Sequence, residues 1–95
     1  MEPMQDPDQL VEYLESFYNT VSRGMDRSAY RFWTTKIRAE LSDITDLGVR
    51  QRALKLCAQV EGGGYVLQRN PEMRESVVLP SIRRLIDCLK QSPPV

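Results

Sequence analysis

Histidine is absent from this chain of 95 residues. The side chain most often used as a general base near neutral pH is therefore missing, and so is the commonest nitrogen ligand for metals. Cysteine is scarce: Cys57 and Cys88 stand 31 positions apart with no C-x-x-C spacing. Without histidine, two such thiols do not make a zinc site. Nor do they make a nucleophile with its base. Asp87 adjoins Cys88, but neighbouring residues on a helix point to different sides. Both cysteines fall among apolar residues, as buried structural thiols do, and nothing suggests a disulfide scaffold. No apolar run approaches the ~20 residues of a membrane span, and no secretory leader pattern is evident. The expected setting is intracellular, cytoplasm or nucleus, with no membrane partner.

Net charge is also missing. Thirteen basic residues balance thirteen acidic ones, whereas domains held to nucleic acid by bulk charge are clearly basic. The carboxylate pairs Glu12 and Glu15, and Glu72 and Glu75, fall near expected helix starts, where they complement the helix dipole. Gly62-Gly63-Gly64 lacks the Gly-Lys-Ser/Thr ending of a phosphate loop, since Tyr65-Val66 follows. These absences together point away from an enzyme. No cofactor, metal or small-molecule substrate is expected.

The residues present read as helix throughout, giving an all-α fold: a small bundle of four to five short amphipathic helices in one domain, 1–95. Asp6-Pro7-Asp8-Gln9 combines a cap, a proline suited to the first helical position and a capping-box glutamine. Leu10, Leu14, Phe17 and Val21 then share a face, widened by Val11 and Tyr18. The first helix is expected over about 7–23, with Gly24 as a left-handed stop. Asp26 or Ser28 caps a second helix over about 26–44, buried through Tyr30, Trp33, Ile37, Leu41 and Ile44. The short connection predicts an antiparallel hairpin with helix one. Asp46 caps a third helix, buried through Val49, Ala53, Leu56, Cys57 and Val60.

Three interior glycines cost about 3 kcal/mol relative to alanines. The third helix is therefore expected over 47–61, with a break or sharp bend at the glycines and a restart over 65–69. Gly64 and Leu67 nevertheless stay in phase with its stripe, as they would if the helix ran on with another helix approaching closely. Asn70-Pro71 starts a last helix over 71–91, kinked at Pro80. There the apolar stripe passes from Met73 and Val77 to Ile82, Leu85, Ile86 and Leu89. Residues 92–95 form a tail.

Helix two carries more than its core requires. Arg27, Arg31, Thr34 and Arg38 form a second stripe within ~60° of arc and about 16 Å long. Arg23 and Lys36 extend it. Such a ladder suits a phosphate backbone, carboxylates on a protein, or plain solvation. Ten of the thirteen basic residues are arginine, whose planar fork favours interfaces. Phe32 points away from both stripes, among Lys36, Ala39 and Asp43. Aromatics and arginine are enriched at interface centres, although a single exposed apolar residue is common.

Part of the second half resembles a HEAT or armadillo-like helical repeat. The residues are Asp46, Val49-Arg50 and Ala53, with Cys57 and Val60 completing the face, then Val78-Leu79-Pro80-Ser81-Ile82 and Leu85-Ile86-Asp87. The likeness spans Asp46 to Asp87, under half the chain, and the glycine triplet and Asn70-Pro71 depart from it. It implies helix-pair packing, protein contact and a possible place in a longer solenoid, with the Glu12 and Glu15 face of helix one as its outer cap. The expectation for function is a noncatalytic module, a scaffold or adaptor, that binds another protein or a second copy of itself. Arg27, Arg31, Phe32, Thr34, Lys36 and Arg38 are its contact residues. The alternative is a nucleic-acid-binding helical module that uses the arginine stripe.

Overall fold

A computed structural model describes residues 7–91. The Asp6 cap and the tail at 92–95 lie outside the described residues. Helix α1 spans Pro7–Arg23, α2 Arg27–Ser42 and α3 Leu47–Arg69. A short 3-10 turn, Pro71–Met73, and a π turn, Arg74–Val78, lead into α4, Leu79–Gln91. No strand occurs among the described residues.

Local chemistry sets the boundaries. Gly24 ends α1 with φ 110°, a conformation in which a side chain is strained. The Asp26 carboxylate accepts from the Ala29 N–H at 2.8 Å, and Asp46 does the same for Val49 at 3.0 Å. Each therefore satisfies an otherwise orphaned amide at a helix start. Asn70 makes no such side-chain bond. The segment after it opens as a 3-10 turn instead of a capped α-helix.

The four helices close around one core with neighbours antiparallel. Late residues of α1 meet early residues of α2: Phe17 lies 5.1 Å from Tyr30, and Tyr13 4.9 Å from Trp33, between ring centroids. Arg27 reaches Gln68 while Arg38 reaches Glu61, so α2 and α3 also run in opposite directions. Lys90 pairs with Glu15 at 3.2 Å and Arg83 lies over the Tyr18 ring, which sets α4 antiparallel to α1. The arrangement is an up-and-down four-helix bundle. Leu10, Leu14, Phe17 and Val21 from α1 meet Tyr30, Ile37 and Leu41 from α2 in the interior. Ala53, Cys57 and Val60 from α3, and Ile82, Leu85, Ile86 and Leu89 from α4, complete it. Trp33 is half-buried between Tyr13 and Phe17.

Two expectations are corrected. The glycine triplet does not break helix three, which continues from Leu47 to Arg69. The reason lies across the bundle. A Cβ on Gly63 would come within 2.5 Å of the Tyr30 hydroxyl oxygen, and one on Gly64 within 3.2 Å of the Tyr30 ring. The glycines make room for a buried tyrosine whose hydroxyl donates to the Val60 carbonyl. That packing and hydrogen bond offset the poor helix propensity. Nothing approaches within 4 Å of a Cβ on Gly62.

The stripe before Pro80 also differs from the expectation. Met73 and Val77 face solvent, and Val78 and Leu79 are buried in their place. The 3-10 and π turns change the residues per turn, so α-helical phase does not carry across them. In the π turn the Leu79 N–H bonds to the Arg74 carbonyl. Pro80, which lacks an N–H, follows directly as the second residue of α4, so the change of helical register falls just before the proline.

Candidate functional site

Helix α2 turns three distinct sides to its surroundings. Tyr30, Thr34, Ile37 and Leu41 enter the core. Arg27 and Arg38 lie along the seam with α3. The outer side carries Ser28, Arg31, Phe32, Thr35, Lys36 and Ala39, all exposed.

The stripe read from the sequence therefore divides. The Arg27 guanidinium donates to Gln68 Oε1 at 2.7 Å and stacks 5.0 Å from the centroid of the Tyr65 ring. Arg69 also lies over this ring at 5.6 Å, so two guanidiniums meet on Tyr65. Arg38 donates through Nε and Nη2 to Glu61 Oε1, at 2.9 and 2.6 Å. The hydrogen bond to Glu61, with the attraction of its carboxylate, raises the Arg38 pKa above its ordinary value. This pair is about half exposed, so it adds well under ~1 kcal/mol to stability. Thr34 is buried, and its hydroxyl donates to the Arg31 carbonyl at 3.1 Å. Three members of the proposed ladder are thus engaged within the fold.

Arg31, Phe32 and Lys36 remain on the outer side. Phe32 is 72% exposed, more than the other large apolar residues found at the surface. Lys36 lies 5.9 Å from the centroid of the Tyr13 ring, at the edge toward α1. Burial first, and then the nearby Glu40 carboxylate, raise the Tyr13 pKa. Ser28, Thr35 and Ala39, exposed on the same side, carry short side chains.

Elsewhere the geometry offers little chemistry. Cys57 is fully buried. Burial, followed by the Glu61 carboxylate, pushes its thiol up to about 12, which leaves it protonated and unreactive near neutral pH. Cys88 is half-buried in the wall of an open groove of about 350 Å³ with Arg52, Arg84, Asp87 and Gln91. Among the described residues no group of three or more Cys, Asp or Glu side chains is placed to hold a metal. No helix among them is long and apolar enough to cross a membrane.

Tyr65 is a surface feature the sequence reading missed. Its signal was present in Arg27 and Arg69, but their meeting on one ring depends on the unbroken course of α3 through the glycines. No family model, curated protein or solved structure matches the chain.

Proposed function

We propose that the protein is a noncatalytic interaction module that binds protein through the outer side of α2, with Phe32 as the anchor. One observation carries this reading: a phenylalanine 72% exposed in the middle of a well-formed helix, on a side the core does not use. Phenylalanine can bury on the order of 150–250 Å². Leaving most of that in water forgoes roughly 3 kcal/mol of burial at about 25 cal/mol per Å². A partner recovers it. The short residues around Phe32 let a second surface approach the helix closely, and Arg31 and Lys36 supply charge at its rim to set orientation.

The nucleic-acid reading has less support. Arg27 and Arg38 are directed onto α3, and Thr34 faces inward. A phosphate ladder would need all of them facing out.

The test places a photoreactive benzoyl-phenylalanine at position 32 of the whole chain, with a control at Gln51, an exposed residue on α3. Irradiation in the producing cell should give a discrete protein adduct from position 32 and none from position 51. Absence of an adduct at 32, or equal labelling at both positions, rejects the reading.

A further inference from the structure

We infer that the partner for this side of α2 is a second copy of the same chain, packed antiparallel about a two-fold axis. This deepens the proposed interaction surface and rests on it. The supporting observation is the order of residues along one edge of the helix. Phe32, Lys36, Ala39 and Asp43 follow one another at steps of four, three and four, so they fall in line on one face over about 16 Å. All four are exposed. Asp43 caps the helix in a helical backbone conformation, φ −91° and ψ 0°, which keeps it on the line.

The order runs apolar, basic, small, acidic. Reversed, as a two-fold axis perpendicular to the helix requires, it complements itself. With the axis between Lys36 and Ala39, Lys36 of one copy stands opposite Ala39 of the other and Phe32 stands at the level of Asp43, at the end of the other helix. Helical side chains lean toward their own N-terminus. Lys36 therefore leans toward the level at which Asp43 of the second copy stands, and the two Lys36 side chains lean away from each other. Ala39 leaves room for the aliphatic stem of Lys36. Each contact occurs twice. Among the described residues no side-chain hydrogen bond or ion pair of Asp43 competes for it. Antiparallel helices also set opposite dipole ends beside each other.

One further feature agrees. The chain carries no net charge, so two copies do not repel at long range.

The test is sedimentation velocity over a concentration series, from about 1 µM to about 1 mM, the range spanned by weak to moderate self-association. The wild-type chain is expected to pass from monomer to dimer. Phe32→Ala should shift the midpoint at least tenfold upward, and Lys36→Asp or Asp43→Lys alone should do the same. The double variant Lys36→Asp, Asp43→Lys exchanges the charges and should restore most of the wild-type affinity. These positions are exposed, and far-UV circular dichroism of each variant should match the wild type. A monomer at all concentrations overturns the dimer while leaving the photo-crosslinking test of the surface to stand alone. Dimerisation without rescue by the double variant overturns the antiparallel register. Dimerisation undiminished in Phe32→Ala overturns the dimer on this face and removes the main support for the proposed function.

Discussion

Substituting alanine for the glycines of α3 one at a time should give effects of opposite sign at adjacent positions. Gly62 is exposed and its Cβ would meet no atom within 4 Å. Alanine there gains helix propensity, about 1 kcal/mol, with no steric cost. Gly63 receives the same propensity gain, but its Cβ would stand 2.5 Å from the Tyr30 hydroxyl oxygen and 3.1 Å from Val78 Cγ1. Tyr30 is 1% exposed and tied to the Val60 carbonyl, so its ring has little room to retreat. Overpacking costs roughly 1–3 kcal/mol. Forcing the buried hydroxyl off its acceptor costs about 1–3 kcal/mol more. The net expectation is roughly 2–4 kcal/mol of destabilisation. For a domain of this size each kcal/mol moves Tm by about 4–8 °C. Gly62→Ala should therefore raise Tm by about 4–8 °C, and Gly63→Ala should lower it by about 10 °C or more. Thermal and urea unfolding followed by circular dichroism read both. Removing the hydroxyl with Tyr30→Phe should reduce the penalty of Gly63→Ala by about 1 kcal/mol or more in a double-mutant cycle. If Gly62→Ala and Gly63→Ala shift stability alike, or the cycle shows no coupling, the tyrosine socket is not what keeps α3 continuous.

Loss of the Asp26 or Asp46 cap by mutation to alanine should cost about 1 kcal/mol each in urea unfolding. The two effects should add, since the caps serve different helices. Alkaline pH should unfold the protein early. Cys57 and Tyr30 both hold their protons more tightly in the folded state, chiefly through burial. Their contribution is complete below the ordinary thiol and phenol values, near 9 and 10, and is lost as pH rises from there toward 12 and beyond. The slope of unfolding free energy against pH should flatten above pH 9 in Cys57→Ser and above pH 10 in Tyr30→Phe. A thiol reagent at pH 8 should label half-buried Cys88 first, with Cys57 reacting only as fast as the chain unfolds.

The parts of the structure legible from sequence were those set by residues close in the chain. Asp26 and Asp46 reach amides three residues away, and Gly24 acts on its own backbone. The α1 stripe of Leu10, Leu14, Phe17 and Val21 needs only the helical period. What was not legible depends on distant partners. Helix propensity counts glycines singly, and it has no access to a tyrosine 33 positions earlier that fills the space above Gly63. A helical wheel places Arg27 and Arg38 on one stripe of α2, but Gln68, Tyr65 and Glu61 come from another helix. Met73 and Val77 leave the expected buried face because the turns around them are not α-helical. Phe32 was the converse case. Its direction followed from the same periodicity that placed the core, and it stands exposed beside Lys36, Ala39 and Asp43.

The chain has two phenylalanines, Phe17 buried and Phe32 exposed. Fluorine NMR of the chain labelled with 4-fluorophenylalanine therefore reports on the proposed anchor with an internal control. In dilute solution the Phe32 resonance should shift when H2O is replaced by D2O, and the Phe17 resonance should not. As concentration rises, the solvent sensitivity of Phe32 should fall toward that of Phe17, and Lys36→Asp should delay the change. A Phe32 resonance that keeps its full solvent sensitivity across the series contradicts the central claim that this side of α2 is covered by a second copy.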